Sequence, residues 1–449
     1  MNESEATTAL DPADSAIKKA FRRLMPLLML FYLLAYIDRV NIGFAALTMN
    51  ADLGLTATMF GIASAAFYVT YIVFEVPSNV MLARFGPRIW IPRIMITWGL
   101  ASVAMMFATG AVSLVSFRAI LGIAEAGLFP GILYYLGSWF PDSQRAKANS
   151  IFLTALPLAL VIGSPVSGLI LQLDEVWGLK GWQWLFLLEG LPTILVGIGA
   201  YFILPDSPAQ VSWLTSEEKS SLQKKLDEEN RRKKAAQNSS AQKISVWREF
   251  RSARVIGLGL TSFCIMGTLT ILGTWIPLFV RELLGNTDKI VLVSFAAAVP
   301  PLAAIPAMLI VGARSDRSHS HSLYTGCAMA LSSLGWLICV MTGTPSLRVL
   351  GLTIATAGAY AAMTTFWATV SRSLPRERHA VAIALIASIS TMTSVISPIV
   401  IGMLRDATGN FEAGMWYAAT LMVCGIGVLR LSTRTVLHSA SADQKALAK

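Results

Sequence analysis

Residues 24–46 read LMPLLMLFYLLAYIDRVNIGFAA, an apolar run interrupted by the charged pair Asp38-Arg39. As a helix rising about 1.5 Å per residue it is long enough to cross the roughly 30 Å hydrocarbon core of a bilayer. Working outward, comparable runs recur at 59–82, 89–109, 112–138, 147–173, 182–204, 253–280, 290–313, 321–342, 346–371, 380–404 and 412–431, twelve in all. Barrel strands would be about 10 residues of alternating polarity, and that pattern is absent. Composition agrees: 55% of the 449 residues are hydrophobic and 14% charged, against about 25% charged in a soluble domain. So much apolar side chain cannot be hidden in one water-soluble core. The expectation is an all-α membrane protein.

The net charge of +10 could suggest nucleic acid, but its distribution points elsewhere. With both termini inside, the inward tails, loops and helix ends hold 28 of the 36 Lys and Arg. The outward loops hold five (Lys180, Arg281, Lys289, Arg348, Arg405), and Arg39, Arg93 and Arg118 lie within helices. That asymmetry is the positive-inside rule and predicts a multi-pass inner-membrane protein with cytoplasmic termini. The basic balance is topological, and no nucleic-acid partner is expected. Cys264, Cys327, Cys339 and Cys424 all fall in apolar runs without paired spacing and read as small core hydrophobes. The N-terminus lacks the basic-then-apolar pattern of a signal peptide, so the first helix is expected to act as its own insertion signal.

The longest polar stretch divides the helices six and six. The boundaries are an N-terminal tail 1–23, a six-helix bundle 24–204, a cytoplasmic linker 205–252, a second bundle 253–431 and a C-terminal tail 432–449. Thr215-Ser216-Glu217-Glu218 is a capping-box pattern that opens a short charged helix in an otherwise solvated connector. The halves echo each other. Asn79 to Arg88 after helix 2 corresponds to Gly312 to Arg317 after helix 8, offset 233. Pro141 matches Pro375 at offset 234, and Ser164-Pro165 matches Ser397-Pro398 at 233, with Gly168 and Gly402 at 234. Three correspondences in register indicate a duplicated six-helix unit, the plan of alternating-access carriers with a midplane site.

This plan resembles the major facilitator superfamily. The helix 8–9 loop, with Asp316-Arg317, is the nearer to its loop signature; the helix 2–3 copy departs from it at Asn79 and Ala83, where Gly and Asp are usual. Within the superfamily, Asp38-Arg39-Val-Asn41, Pro77-Ser-Asn79, Trp139-Phe-Pro141 and the run from Arg118 through Glu125 to Gly131 resemble the anion:cation symporters. So does Gly181-Trp-Gln-Trp-Leu-Phe-Leu-Leu-Glu189-Gly190. Within that family the 4-hydroxyphenylacetate permeases and the tartrate- and phthalate-type transporters are the most similar. The resemblance implies uptake of an organic carboxylate, with Asp38 and Glu125 as proton-coupling acids and Arg39 and Arg118 engaging the substrate or those acids.

The residues themselves lead the same way. A charge at the bilayer centre costs at least about 2.5–3.5 kcal/mol, so each one needs a reason. Asp38 lies about 21 Å along helix 1, and Arg118 about 9 Å below the outer end of helix 4, which puts Asp38, Arg39 and Arg118 near one depth. Glu125 follows Arg118 by two turns on the same face, about 10 Å deeper. Arg forks onto carboxylates and stays charged, whereas a buried carboxyl can be protonated, so the set suits an anion and a proton. The alternative is that the four neutralise one another and only join helices 1 and 4.

Other candidates for the substrate are Tyr71 and Trp367, placed where the resembling family keeps aromatic residues, and Trp275, Ser390 and Thr391 on helices 7 and 11. Hydroxyls on helix 11, where many members of the resembling family carry amides, and no Arg in the middle of helix 7 favour a compact aromatic or short monocarboxylate over sugar acids or dicarboxylates. Glu75, Arg84, Arg88, Asp316 and Arg317 are candidate gating residues, with a Glu75–Arg84 pair expected in one gate state. Glu189 reads as structural, and Arg93 as a snorkelling interface residue. No metal, cofactor, nucleophile–base set or ATPase signature is expected, so the chain is not an enzyme. The expected partners are a small organic anion, protons and the bilayer, acting on a monomer. Rivals are an anion exchanger of the same fold and a transporter-like membrane sensor signalling through the linker.

Overall fold

The computed structural model describes residues 11–239, 252–318, 320–374 and 379–447. Pro375, His319, part of the linker and the extreme tails lie outside them. Every element described is helical, and twelve helices are long and apolar enough to cross a membrane. The first six are span 1 (Pro12–Asp52), span 2 (Ala57–Phe85), span 3 (Pro87–Phe107), span 4 (Ala111–Trp139), span 5 (Asp142–Leu173) and span 6 (Gly181–Ile203). The second six are span 7 (Ala253–Leu283), span 8 (Ile290–Ser318), span 9 (His321–Met341), span 10 (Pro345–Ser373), span 11 (Ala382–Thr408) and span 12 (Glu412–Thr433). A helix satisfies its backbone internally, which is what lets these runs stand in lipid despite Pro26, Pro77, Pro165, Pro277 and Pro398 within them. Val112, Phe202, Leu309 and Met341 point outward with 66–82% of their surface bare, which only a lipid solvent tolerates.

Spans 1–6 pack among themselves, chiefly 2 on 4 and 3 on 6, as do spans 7–12, chiefly 7 on 11 and 9 on 10. The halves meet along three seams: span 2 with 11, span 5 with 8, and span 1 with 7. Here the duplication becomes physical. A Cβ on Gly168 of span 5 would lie 2.3 Å from the Cβ of Ser294 at the start of span 8. Its counterpart Gly402 on span 11 would put one 2.3 Å from the carbonyl oxygen of Ala57 at the start of span 2. Two matched glycines let two matched crossings approach closely, on the Ser294 side chain in one and on the Ala57 backbone in the other.

The seams are tight at the end away from the linker, called here the far end. Asp406 accepts from the N–H groups of Ala57 (3.0 Å) and Thr58 (2.8 Å), closing the open N-terminus of span 2 from the other half. Arg281 donates to the carbonyl of Leu47 at 3.0 Å, and Gly61 packs against the backbone of Pro398. At mid-depth Val40, Leu160, Ala304 and Tyr360 close the seam. Nearer the linker end of span 2, Val73, Val76 and Val80 are 60–71% exposed.

Two features depart from the sequence expectation. Span 1 is helical from Pro12, well before its apolar run, because Asp11 caps it (Ala13 N–H at 3.0 Å) and proline suits the first turn. And the linker is docked. Its helix Ser216–Ser239 opens with the anticipated capping box, Thr215 N–H to Glu218 at 2.9 Å and Glu218 N–H to Thr215 Oγ1 at 3.2 Å. Glu218 then takes Ser15 Oγ (2.7 Å) and Lys19 Nζ (2.8 Å) from span 1. Further along, Glu229 accepts from the N–H of Asp142 and from Arg145, and Trp213 stacks on Trp139 at 5.7 Å under the Arg23 guanidinium. The linker helix is a strut of the first half.

Candidate functional site

The polar centre is built by spans 1 to 4. Asp38 sits on span 1, opposite Trp98 and Ser102, which are one turn apart on span 3 and so share a face. Its carboxylate accepts from Trp98 Nε1, from Ser102 Oγ at 2.5 Å and from Asn41 Nδ2 at 2.8 Å. Three neutral donors hold it, and it is 2% exposed. The next residue, Arg39, points the other way. Its Nε donates to Glu125 Oε1 at 2.7 Å, and its guanidinium lies 4.9 Å from the ring centre of Tyr71 and 5.6 Å from that of Phe67. Arg39 keeps 18% of its side chain accessible and Glu125 only 1%, so the pair is reached from the Arg39 side.

Arg118 lies over the same Phe67 ring, 5.2 Å from its centre, so one aromatic ring serves two guanidinium groups. It is 2% exposed, and its Nε and Nη1 find no acceptor among the described residues; Oε2 of Glu125 likewise finds no donor. Each buried donor left unmade costs about 1–3 kcal/mol.

Span 4 is not one helix. It runs Ala111–Glu125, breaks, and resumes as Leu128–Trp139. Ala126 is extended (ψ 130) and Gly127 is left-handed (φ 89), a conformation a side chain disfavours, and a Cβ there would lie 2.5 Å from Ser78 Oγ. Pro130 has no N–H to offer the carbonyl of Ala126 four residues back, which is why the ladder fails at this point. The break ends one helix on Glu125 itself. Broken helices at mid-membrane are where carriers place their sites.

The structure brings Asp38, Arg39, Arg118, Glu125 and Tyr71 together. It sets others apart. Trp275 is fully buried at the far end, edge-on to Phe60 (4.9 Å) and Phe411 (5.5 Å), in the packing of the closed seam. Ser390 and Thr391 donate to their own helix, to the carbonyls of Ile386 and Ala387 at 2.7 and 2.8 Å. Trp367 is half-buried, edge-on to Phe366. Of the gating candidates, Glu75 is half-buried on span 2 and no ion pair joins it to Arg84, whose guanidinium covers Phe85. Arg84, Arg88, Asp316 and Arg317 are exposed at the linker end, and Asp316 stands 3.9 Å from His321. Sequence reasoning passed over Phe67, Trp98 and Ser102. Among the described residues, every carboxylate, Lys or Arg side chain that is buried (Asp38, Arg118, Glu125, Glu189 and Glu218) belongs to the first half or its strut.

The family profile of the Major Facilitator Superfamily matches residues 28–398. The chain belongs to the major facilitator superfamily. It is a multi-pass membrane transporter and not an enzyme. It is 38% identical to a putative tartrate transporter of Agrobacterium vitis, over 91% of this chain and 89% of that one. It is 36% identical to the putative metabolite transport protein NicT of Pseudomonas putida, over 96% and 99%. Among solved structures, an inward-facing, occupied bacterial homologue of the human lysosomal transporter Spinster superposes with a TM-score of 0.75, at 16% identity, over 93% and 98% of the two chains. That likeness concerns the fold of this superfamily member.

Proposed function

We propose that the chain is a proton-coupled symporter of the anion:cation symporter type, carrying an organic carboxylate into the cell across the inner membrane, with the linker end cytoplasmic. The observation that carries this reading is buried Arg118, with two donors that find no acceptor among the described residues, sharing the Phe67 ring with Arg39, which Glu125 holds. A substrate carboxylate satisfies Arg118, and a proton on Glu125 releases Arg39 to join it as a second fork. Proton and anion then neutralise the site together, so the halves can rock without dragging bare charge through hydrocarbon. Asp38, already held by three donors, sets the field at Arg118. Glu75, Arg84, Arg88, Asp316 and Arg317 line the linker-end mouth as its gate.

The aromatic shell of Phe67, Tyr71 and their neighbours favours an aromatic or short monocarboxylate such as 4-hydroxyphenylacetate, with Trp367, Ser390 and Thr391 on the opposing half. Trp275 supports the substrate from the far-end packing. The similarity to putative tartrate transporters favours a second reading, a hydroxylated dicarboxylate. Proteoliposomes separate the two: uptake of 4-hydroxyphenylacetate and of L-tartrate is measured under an imposed pH gradient. Glu125→Gln should abolish gradient-driven uptake while counterflow exchange persists. Normal gradient-driven uptake in that variant would falsify the coupling assignment.

A further inference from the structure

The centre holds one acid more than its cations answer. Arg39 and Arg118 face Asp38 and Glu125, but a third buried carboxyl, Glu189 on span 6, is 7% exposed and close enough to Asp38 to feel its charge. Its Oε1 accepts from Ser167 Oγ at 2.7 Å, and its Oε2 has no donor among the described residues. No cation faces it. Of the elements packed on span 6, span 1 contributes Asp38 and, at the far end, Asp52, which accepts from Trp182 Nε1 at 2.9 Å. Span 3 contributes Arg93, engaged with Trp90 toward the linker end, and span 5 contributes only hydroxyls here.

The depths form a track. Measured from the level where Asp52 meets Trp182, Glu189 lies about 10 Å in, Asn41 about 16 Å and Asp38 about 21 Å, at about 1.5 Å per residue. Asn41 links them: its Nδ2 is on Asp38, it lies beside Glu189, and its Oδ1 has no donor. Glu189 Oε2 and Asn41 Oδ1 are thus two idle acceptors in one dry place. A carboxylate there, with only the Ser167 hydroxyl and the Asn41 amide beside it, is costly in a way that Asp38, with three donors, is not. A proton on Glu189 supplies the missing donor and balances the charge of the centre.

We propose that Glu189 is a second proton-binding site of the transport cycle, coupled through Asn41 to Asp38, and that these two carboxyls hold one proton between them. While Glu189 carries it, Asp38 stays ionised; as pH rises Glu189 releases it and both carboxyls are then ionised. Its part in transport rests on the proton-coupled reading above; its protonation does not.

The test is infrared difference spectroscopy of the purified protein in lipid nanodiscs between acid and alkaline pH, on wild type, Glu189→Gln and Glu125→Gln. The expected result is a titrating carboxylic-acid carbonyl band present in wild type and Glu125→Gln and lost in Glu189→Gln. With it comes a shift in the pH profile of gradient-driven 4-hydroxyphenylacetate or L-tartrate uptake in Glu189→Gln. A Glu189→Gln difference spectrum that superimposes on wild type overturns the proposal, as does a Glu189 band that does not titrate. If Glu189→Gln does not fold, Ser167→Ala must displace the band, because it removes the one donor on Oε1; an unmoved band overturns the proposal equally. Loss of the band in Glu189→Gln together with normal driven uptake in Glu125→Gln would sink the coupling scheme and leave the Glu189 site standing.

Discussion

Substituting Gly61→Ala should force the far end open. A Cβ at position 61 would lie 2.3 Å from the carbonyl oxygen of Pro398 and 2.9 Å from its carbonyl carbon. Ordinary contact begins at 3.4 Å, so the new methyl falls about 1.1 Å short, and what it meets is backbone that cannot swing aside. Overpacking of this kind costs about 1–3 kcal/mol, charged only to the state in which spans 2 and 11 touch. The equilibrium moves about 5–150-fold toward states in which they part. Gly402→Ala meets the carbonyl oxygen of Ala57 at the same 2.3 Å and should act alike, with the double variant less than additive because the first separation makes room for the second. The assay is the distance between spin labels at Ala51→Cys and Ala407→Cys, both exposed, in a background lacking the native cysteines. A longer-distance population should grow in each glycine variant and not in Gly199→Ala, whose added methyl meets nothing within 4 Å. Unchanged distances in Gly61→Ala would refute the view that this crossing holds the far end shut.

Two more expectations concern charge. Arg39→Ala leaves Glu125 buried without its cation and should lower stability by about 3–5 kcal/mol, read as thermal unfolding in detergent, while Arg39→Ala with Glu125→Gln recovers most of the loss. At the strut, hydrogen bonds from Lys19, the Thr215 backbone and Ser15 bring Glu218 down from its ordinary 4.5 to about 2. A carboxyl lowered on docking stabilises the docked form above its ordinary range and loses that contribution as pH falls toward its docked value. Hydrogen–deuterium exchange over residues 216–229 should therefore be unchanged from pH 7 to pH 5 and speed up between about 4.5 and about 2, whereas Lys19→Ala loosens the strut at neutral pH.

What could be read from the sequence follows the physics of each feature. Twelve spans were legible because lipid demands long apolar runs, and the correspondence of Gly168 and Gly402 because the repeat left them in register; their role at the crossings was not. Asp38, Arg39, Arg118 and Glu125 were legible because charge in such runs is rare. Phe67 was not: an apolar residue in an apolar run carries no mark, and only the two guanidinium groups on its ring single it out. Trp98 and Ser102 are equally silent until span 3 turns their common face to Asp38. The break in span 4 was marked by Gly127 and Pro130, which a run of hydropathy overrides. Trp275 was singled out by residue type on the right helix, but helix 7 carries it past the centre to the far-end packing. The linker was read as solvated from its charge; those charges proved to be the contacts that dock it.

The confinement of buried charge to the first half has a consequence for how such a carrier diversifies. The two halves descend from one pattern, yet one has become the electrical arm and the other a shaped wall. On the proton-coupled carboxylate reading proposed above, substitutions in spans 7–12 would change the volume and hydroxyl pattern presented to the cargo while leaving the proton-carrying acids of spans 1–6 untouched. A lineage built that way could exchange one carboxylate for another without having to reinvent its coupling.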